Sequence, residues 1–597
     1  MAARSASRSS SSSSCTLVDL VDVDDDAQNV FEDVVIDLTD DYSSSLLRDG
    51  ELALDRLQAR GATWRPGDVV EVRGAHLGSY AVDFLKIKII AETRSGEHVI
   101  RGDPLVRTRA LLGKLLNKKN EVCWLHFIED AGPIYLDISP QSIVRRRSLI
   151  ITNAPYPEHS LWSLATHSDN GISHGHGTRQ EHDAEHFGPL ACRWRLTIYF
   201  ERKGRQMRPV EEALESMPST DVPDSRYHMP YDALRNRWHG AIIAGGSWNA
   251  GRAAHVDLEA ASQAPRTRSH GQKYTFFDAF SGAGGASRGA QGAGFKVQYA
   301  VDKSPEVWET YRGNFPQARL FKTCTHGFLT QTHGENIRVD VLHLSPPCQF
   351  FSPAHTHDSV HDADNIAALF GCGELIKKTR PRIITLEQTF GITHDRHIRY
   401  FRALIGQMTQ HGYSVRWRVV RLCTWGSAQD RKRLVVIAAS PGHRLPPFPA
   451  ATHSETGGGG ETGGGGRKPF TTISQAIDGI PRGHDLHQVW RVHHFEPPRA
   501  PLDPHKLARP ITTGGAELYH PSGTRKLTLR ELASLQGFPL HHRFVGNDTS
   551  IRKQIGNAFP PNTVDVLYRH LQRWLLQEDG IVPLRPNVAQ VLIVDDD

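Results

Sequence analysis

Residues 274–289 read YTFFDAFSGAGGASRG, an apolar and aromatic run that stops at Phe280 and gives way to Gly282, Gly284 and Gly285. A run of this length, closed by glycine and followed by small residues, is the pattern of a buried strand turning into a helix. The pattern recurs downstream. KVQYAVD (296–302), a short third run leading into FKTCTHGF (321–328), VDVLHLS (339–345), RIITLE (382–387), SVRWRVV (414–420) and RLVVIAA (433–439) are separated by helical segments through Trp308, between Leu369 and Lys378, and around Phe401. Strands alternating with helices over some 165 residues predict a doubly wound, Rossmann-like α/β domain, its parallel sheet covered on both faces.

In such a sheet, ligands sit beyond the carboxyl ends of the strands, so the residues that end each run carry the information. After the first run, Gly282, Gly284 and Gly285 let backbone approach a ligand at a helix start. The second run ends in Asp302, where a carboxylate accepts hydrogen bonds from ribose hydroxyls. A nucleoside-bearing cofactor fits both ends. The fourth run ends in PPCQFFSP, which sets Cys348 in a proline-stiffened loop at the mouth of the sheet. A lone cysteine is usually a small buried hydrophobe, but a rigid exposed loop suits an aimed thiol better than a hidden one. The fifth run ends in Glu387, whose register points it into the same cleft.

Outward from this core the text changes character. Beyond Ala439 comes the Pro-rich and Gly-rich text HRLPPFPAATHSETGGGGETGGGGRKPF (443–470), whose glycines make a flexible linker. Order resumes at ARPITTGG, the helix TLRELASLQG and RKQIGNAFPPNTVDVLYRHLQRWL. Upstream, GDVVEVRG, FLKIKIIAE, EVCWLHFIE and GPIYLDISPQSIVRR read as a small β domain over 62–152. It loosely resembles the bromo-adjacent homology modules of chromatin enzymes. Residues 153–270 read as part linker, part accessory structure, with CRWRLTIYF among their few apolar runs.

Residues 1–50 hold three Arg against eleven Asp and Glu, while the whole chain has a formal net charge of +5. An acidic arm, expected to be disordered over 1–58, therefore precedes a basic body suited to a polyanion. The stretch 577–597 reads as a second tail. No run of eighteen apolar residues and no secretory signal is found, so membrane and secreted classes fall away. The seven cysteines, at 15, 123, 192, 324, 348, 372 and 423, form no CxxC pair and point to a reducing compartment. His355, His357 and His361 come without the spacing of a metal motif, and no metal is expected.

Six motifs now stand in order: FDAFSGAGG, PPCQ, the glutamate after the fifth run, QDRKR (429–433), RPITTGG (509–515) and GNAFPP (556–561). Over roughly half the chain, from Tyr274 to Leu575, this set resembles the cytosine carbon-5 DNA methyltransferases. With Glu387, Gln388 and Thr389 in place of the usual Glu-Asn-Val, it looks most like the fungal subgroup named for defects in repeat-induced point mutation.

The resemblance implies S-adenosyl-L-methionine as cofactor and double-stranded DNA with a flipped cytosine as substrate. It also divides the domain into a core at 274–439, a short target-recognition region at 440–508 and completion of the core at 509–576. Cytosine carbon 5 is a feeble nucleophile until a thiolate adds at carbon 6, the part implied for Cys348. Glu387 would hold or protonate nitrogen 3 and recognise the amino group, and Arg433 would bind the exocyclic oxygen. The same resemblance assigns Arg431 to the support of that cleft, Phe280 to the adenine side of the cofactor, Asp302 to the ribose, and Asn557 to closure of the cofactor site.

Two departures set further expectations. Gln388 is one methylene longer than the family's Asn, whose side chain braces the Pro-Cys loop, so the aim of Cys348 is expected to differ. The usual Gly-Asp after the third strand is missing from FKTCTHGF (321–328), leaving the amino edge of adenine without a partner and predicting modest cofactor affinity. Only about seventy-five residues separate Arg433 from Arg509, which predicts weak sequence discrimination or help from a partner.

Two alternatives stay open. One is a chromatin-binding homologue that no longer turns over, for which the Gln388 and Thr389 departure speaks. The other is an RNA cytosine methyltransferase, although the acidic arm and β module favour chromatin and the nucleus. The terminal strings Leu17–Leu20, Val34–Leu38 and Val591–Val594 put β-prone residues beside Asp. They resemble the motifs by which disordered peptides add a strand to the small ubiquitin-like modifier.

Overall fold

The computed structural model describes residues 36–37, 46–129, 132–160, 186–203, 206–249, 267–352, 362–458, 466–513 and 518–581. Its catalytic core is a seven-stranded sheet: β1 (Thr275–Ala279), β2 (Lys296–Val301), β3 (Arg319–Phe321), β4 (Val341–Leu344), β5 (Ile383–Gln388), β6 (Ser414–Arg421) and β7 (Lys432–Ala439). The spatial order is β3-β2-β1-β4-β5-β7-β6. β1, β4 and β5 are buried along their whole length, because helices cover both faces. Alternate residues serve the two layers. Phe276, Val341 and Ile383 pack with Leu567 and Leu571 of the helix Pro561–Glu578, while Phe277, Leu342 and Ile384 pack with Leu404 and Met408 of the helix Ile398–Thr409.

One expectation about the sheet is corrected. It is not all parallel, because β7 runs antiparallel to both β5 and β6. Only residues 422–431 join β6 to β7, too few for the crossover that a parallel return requires, so the chain comes back as a hairpin. The reversal aligns Glu387 with Val435 and Gln388 with Leu434, which delivers Arg433 to the end of β5.

The upstream β domain is present as an antiparallel meander of Val69–Leu77, Tyr80–Glu92, His98–Arg107 and Glu121–Glu129, with Ile143–Arg147 paired to the first strand. The stretch read as linker and accessory structure holds its seam. A long hairpin, Leu190–Lys203 and Gln206–Ser216, pairs through its first strand with Glu121–Glu129 and through its second with β6. Module and core thus share one continuous sheet.

The tail boundaries are corrected as well. Leu52–Leu54 pairs with Tyr80–Glu92, and Glu51 meets the fully buried Arg101 at 2.9 Å, so residues 46–58 belong to the folded module. Arg101, also bound to Asp137 at 2.6 Å, needs both carboxylates to offset its desolvation. At the other end the last helix runs to Glu578, and Asp579 is buried. Within the acidic arm, Ile36–Asp37 forms a strand on the edge of Gln206–Ser216, because backbone groups there are open to pairing. The strings Leu17–Leu20 and Val591–Val594, like His355, His357 and His361, lie outside the described residues. Among the described residues no helix is long and apolar enough to cross a membrane.

Candidate active site

A cavity of about 860 Å³ opens at the carboxyl ends of β1, β2, β4 and β5. Phe280, Gly282, Gly285, Asp302, Cys348, Glu387 and Asn557, all singled out from sequence, line it together.

One wall is built from backbone. Phe280 leaves β1 with a φ of 64°, a left-handed conformation that costs a bulky residue on the order of 1–3 kcal/mol and here turns the chain sharply into the glycine loop. Asp302, at the end of β2, accepts from the amide of Gly282 at 2.8 Å and from that of Ser304 at 2.8 Å, tying the first two loops together. Burial raises its pKa. Each carboxylate oxygen keeps a second lone pair for a ligand hydroxyl. Gly285 is required by close approach, since a Cβ there would lie 2.4 Å from the Phe559 carbonyl oxygen.

Gly284 does not line the cavity. It caps the helix Gly285–Gly292 at a φ of 84°, where a Cβ would strike the Phe315 ring at 2.3 Å, so it serves packing.

The opposite wall holds residues that sequence reasoning missed. Thr323, Cys324, Thr325 and His326 line the cavity after β3, and Asn365 lines it from the helix Asp362–Phe370. The amide of Asn365 supplies both a donor and an acceptor, so the missing Gly-Asp does not leave this wall without polar groups. A single polar residue on the apolar face of DADNIAALF was the available signal. Ser281 was also missed. Its hydroxyl lines the cavity, is 94% buried and has no hydrogen-bond partner.

The reactive end is a cluster of charge around sulfur. Cys348 opens a short 3-10 turn, Gln349–Phe351, directly after Pro346 and Pro347. Burial pushes its thiol up, Arg433 draws it down, Glu387 pushes it up, and Arg431 draws it down. Glu387 Oε1 lies 2.7 Å from Arg433 Nε, but the N–H is not aimed along a hydrogen bond, so the contact is an ion pair. Arg431 stands behind them and, like Arg433, outside the cavity lining. Its guanidinium donates to the carbonyls of Ile511 at 2.8 Å and Gly556 at 3.1 Å, pinning both returning motifs. Burial, then the neighbouring Arg433, brings its pKa down to about 9.

Although longer than the family's Asn, Gln388 reaches the Pro-Cys loop. Gln388, fully buried, donates from Nε2 to the Pro346 carbonyl at 3.1 Å, while its Oε1 accepts from the Thr389 amide at 2.8 Å. The longer side chain still braces the loop, and Ser345 ties it to the first by donating to the Phe280 carbonyl at 3.2 Å.

Residues 274–459 and 464–573 match the family model of the C-5 cytosine-specific DNA methylases. The chain belongs to this family. Among similar proteins, the Type II methyltransferase M1.HphI of Haemophilus parahaemolyticus is 28% identical over 326 residues, covering 48% of this chain and 83% of the relative. A rice protein (Oryza sativa subsp. japonica), DNA (cytosine-5)-methyltransferase 1B, is 23% identical over 428 residues, covering 49% of this chain and 28% of its own. The crystal structure of S. pombe Dnmt2 methyltransferase aligns with a TM-score of 0.36 at 15% identity, over 51% of this chain and 99% of that one.

This methylase is a DNA (cytosine-5-)-methyltransferase, with S-adenosylmethionine as its cofactor. The residues present fit that group. An unpartnered buried hydroxyl at Ser281, a carboxylate at Asp302 and a loop without side chains at Gly282 provide polar recognition and room for close approach in one cavity. Among the described residues no cluster of His, Cys, Asp and Glu could hold a metal ion.

Proposed function

We propose that the enzyme methylates carbon 5 of a cytosine flipped out of duplex DNA, through a covalent adduct at Cys348. The observation that carries this reading is that Cys348 and Glu387 line the same cavity as the cofactor wall of Phe280, Gly282, Asp302 and Asn557.

The Cys348 thiol gives its proton to solvent, the thiolate sulfur gives its electron pair to carbon 6, and the ring electrons move toward nitrogen 3 and carbon 5. Glu387 holds the amino group and supplies or shares a proton at nitrogen 3, which neutralises the charge entering the ring. Arg433, beside Glu387, offers its guanidinium to the exocyclic oxygen and its field to the thiolate. Bound S-adenosylmethionine supplies an electrophilic methyl group. Carbon 5 then loses its proton to a base, the carbon–sulfur bond breaks, and Cys348 leaves as the thiolate. Arg431 takes no part in bond making and positions the returning segments.

A nucleic-acid substrate is supported by the target-recognition region, where Trp490 is 75% exposed beside the exposed Arg491, His493 and His494. Stacking surface and cations together suit a polyanion carrying bases. Family resemblance supports placement in the repeat-induced subgroup. The β module and acidic arm support work in the nucleus, on chromatin and in silencing, with the small ubiquitin-like modifier as a ligand of the terminal strings.

The test is incubation of the purified enzyme with radiolabelled S-adenosylmethionine and cytosine-containing duplex DNA or RNA. Label in 5-methylcytosine of DNA, absent with Cys348→Ala, is the expected result. Label confined to RNA, or none on any DNA, overturns the reading.

A further inference from the structure

Among the described residues, Ile36–Asp37 of the acidic arm pairs with the chain's own hairpin. Ile36 pairs with Met207 and Asp37 with Gln206, antiparallel, at the tip of the long hairpin. A strand has two edges, and Leu190–Lys203 occupies one edge of Gln206–Ser216 from Gln206 to Ser216. The other edge is divided. β6 takes Glu212–Leu214, Pro209 has no N–H to offer, and Ile36–Asp37 covers Gln206 and Met207 at the end nearest the tip.

Charge matches the backbone pairing. Residues 202–208, RKGRQMR, carry four cations and no acid, one of them, Arg202, paired with Glu129 at 2.6 Å, whereas residues 32–41, EDVVIDLTDD, carry five acids and no cation. An apolar strand with acidic flanks therefore meets a bare edge with basic flanks, the two requirements of recognition by strand addition.

We propose that the open edge at Gln206–Met207 is a docking surface for an acidic–apolar strand, and that its occupant is the chain's own Val34–Leu38. Docked, Ile36 and Asp37 have their backbone committed, and the string is withheld from any partner that would take it as an added strand. For the small ubiquitin-like modifier, a consequence that rests on the ligand reading above, binding at Val34–Leu38 competes with the cis contact. The arm is then a latch whose strength follows ionic strength and the charge of the tip.

The experiment uses full-length enzyme and a fluorescent peptide of residues 30–42. The double variant Val34→Asp/Ile36→Pro vacates the edge. The peptide is expected to bind it at least tenfold more tightly than wild type, with unchanged thermal melting and methyl transfer. Adding Arg205→Glu and Arg208→Glu to that variant should weaken peptide binding at least tenfold. Equal binding to wild type and the vacated variant, or no binding to the vacated variant, overturns the proposal. Titration of the modifier separates the two readings. Arg205→Glu/Arg208→Glu alone frees the string without altering it and should raise the modifier's affinity severalfold. If the modifier binds neither form, the ligand reading fails while the peptide result still decides the latch.

Discussion

The two ends of the central sheet both bury charge, and they use it differently. At the amino ends of the strands, the Asp579 carboxylate accepts from Arg382 at 2.5 and 3.2 Å, from the Tyr274 hydroxyl at 2.7 Å and from the Gly245 amide at 2.7 Å. Nearby, Asp340 accepts from the amides of Thr275 at 2.7 Å and Ser247 at 3.0 Å. Both carboxylates are thus hydrogen-bonded, joining the segment before β1, the sheet and the last helix. At the carboxyl ends, Arg433 lies close to Glu387 without a hydrogen bond through Nε, Ser281 Oγ is bare, and burial holds the Cys348 thiol up. Closed networks hold a fold, whereas open valence in a cavity is available to a substrate.

The largest break in that contrast comes from Cys348→Ala. Methyl transfer and the adduct with 5-fluorocytosine DNA should both vanish, since fluorine traps only a species that a thiolate has formed. Cofactor affinity, measured calorimetrically, should be nearly unchanged. Because the thiol is raised, alkylation of Cys348 in free enzyme should be slower at pH 8 than that of an ordinary exposed cysteine, and should still climb at pH 9. A surviving adduct in the variant would exclude Cys348 as nucleophile.

Glu387→Gln should follow. The amide keeps the shape but neither supplies a proton nor balances Arg433, so the single-turnover rate should fall on the order of 10² or more. A rate near wild type removes Glu387 from the chemistry.

At the closed end the readout changes from rate to stability. Arg382→Met leaves Asp579 buried without its cation, which should cost roughly 3–5 kcal/mol in denaturant unfolding with little change in turnover per folded molecule. The pH dependence carries a sign. Burial raises the Asp579 carboxyl, but Arg382, with Gly245 and Tyr274, outweighs this and holds it below the ordinary value of 3.8, so its contribution is present above the unfolded pKa and is lost as pH falls through the folded one. Without the guanidinium the folded pKa rises, and acid unfolding should begin at higher pH in the variant. Identical acid midpoints would show that the pair does not hold the sheet.

Residues that end strands were legible in the sequence because β1, β4 and β5, buried on both faces, write themselves as unbroken apolar runs whose last positions fall at one rim. That logic found Asp302, Cys348 and Glu387. It failed where pairing is long-range. Nothing in SVRWRVV and RLVVIAA states that the second runs backward; only the short connection between them does. The hairpin at 190–216 was hidden because its strands are defined by partners some seventy and two hundred residues away, Glu121–Glu129 and β6. Gly284 was misread because glycine serves packing and ligand approach alike, and only the ring of Phe315 tells them apart. Ser281 and Asn365 are common polar residues whose meaning lies wholly in the cavity they face.

Gln388→Asn should produce the smallest effect, and it bears on whether the brace or its length matters. The side chain spans from β5 to the Pro346 carbonyl, and its Oε1 is already held by the Thr389 amide. Removing one methylene draws the amide back from Pro346 by more than a hydrogen bond tolerates, unless the Pro-Cys loop follows it. A neutral buried hydrogen bond contributes about 1 kcal/mol, so loss of the brace alone should slow adduct formation about fivefold while leaving the melting temperature and cofactor affinity essentially in place. If the loop follows, the rate should stay at the wild-type value, and a crystal structure should show Pro346 shifted toward β5. A drop in stability as large as that of Arg382→Met would instead place Gln388 with the closed end of the sheet, as a part of the fold rather than of the site.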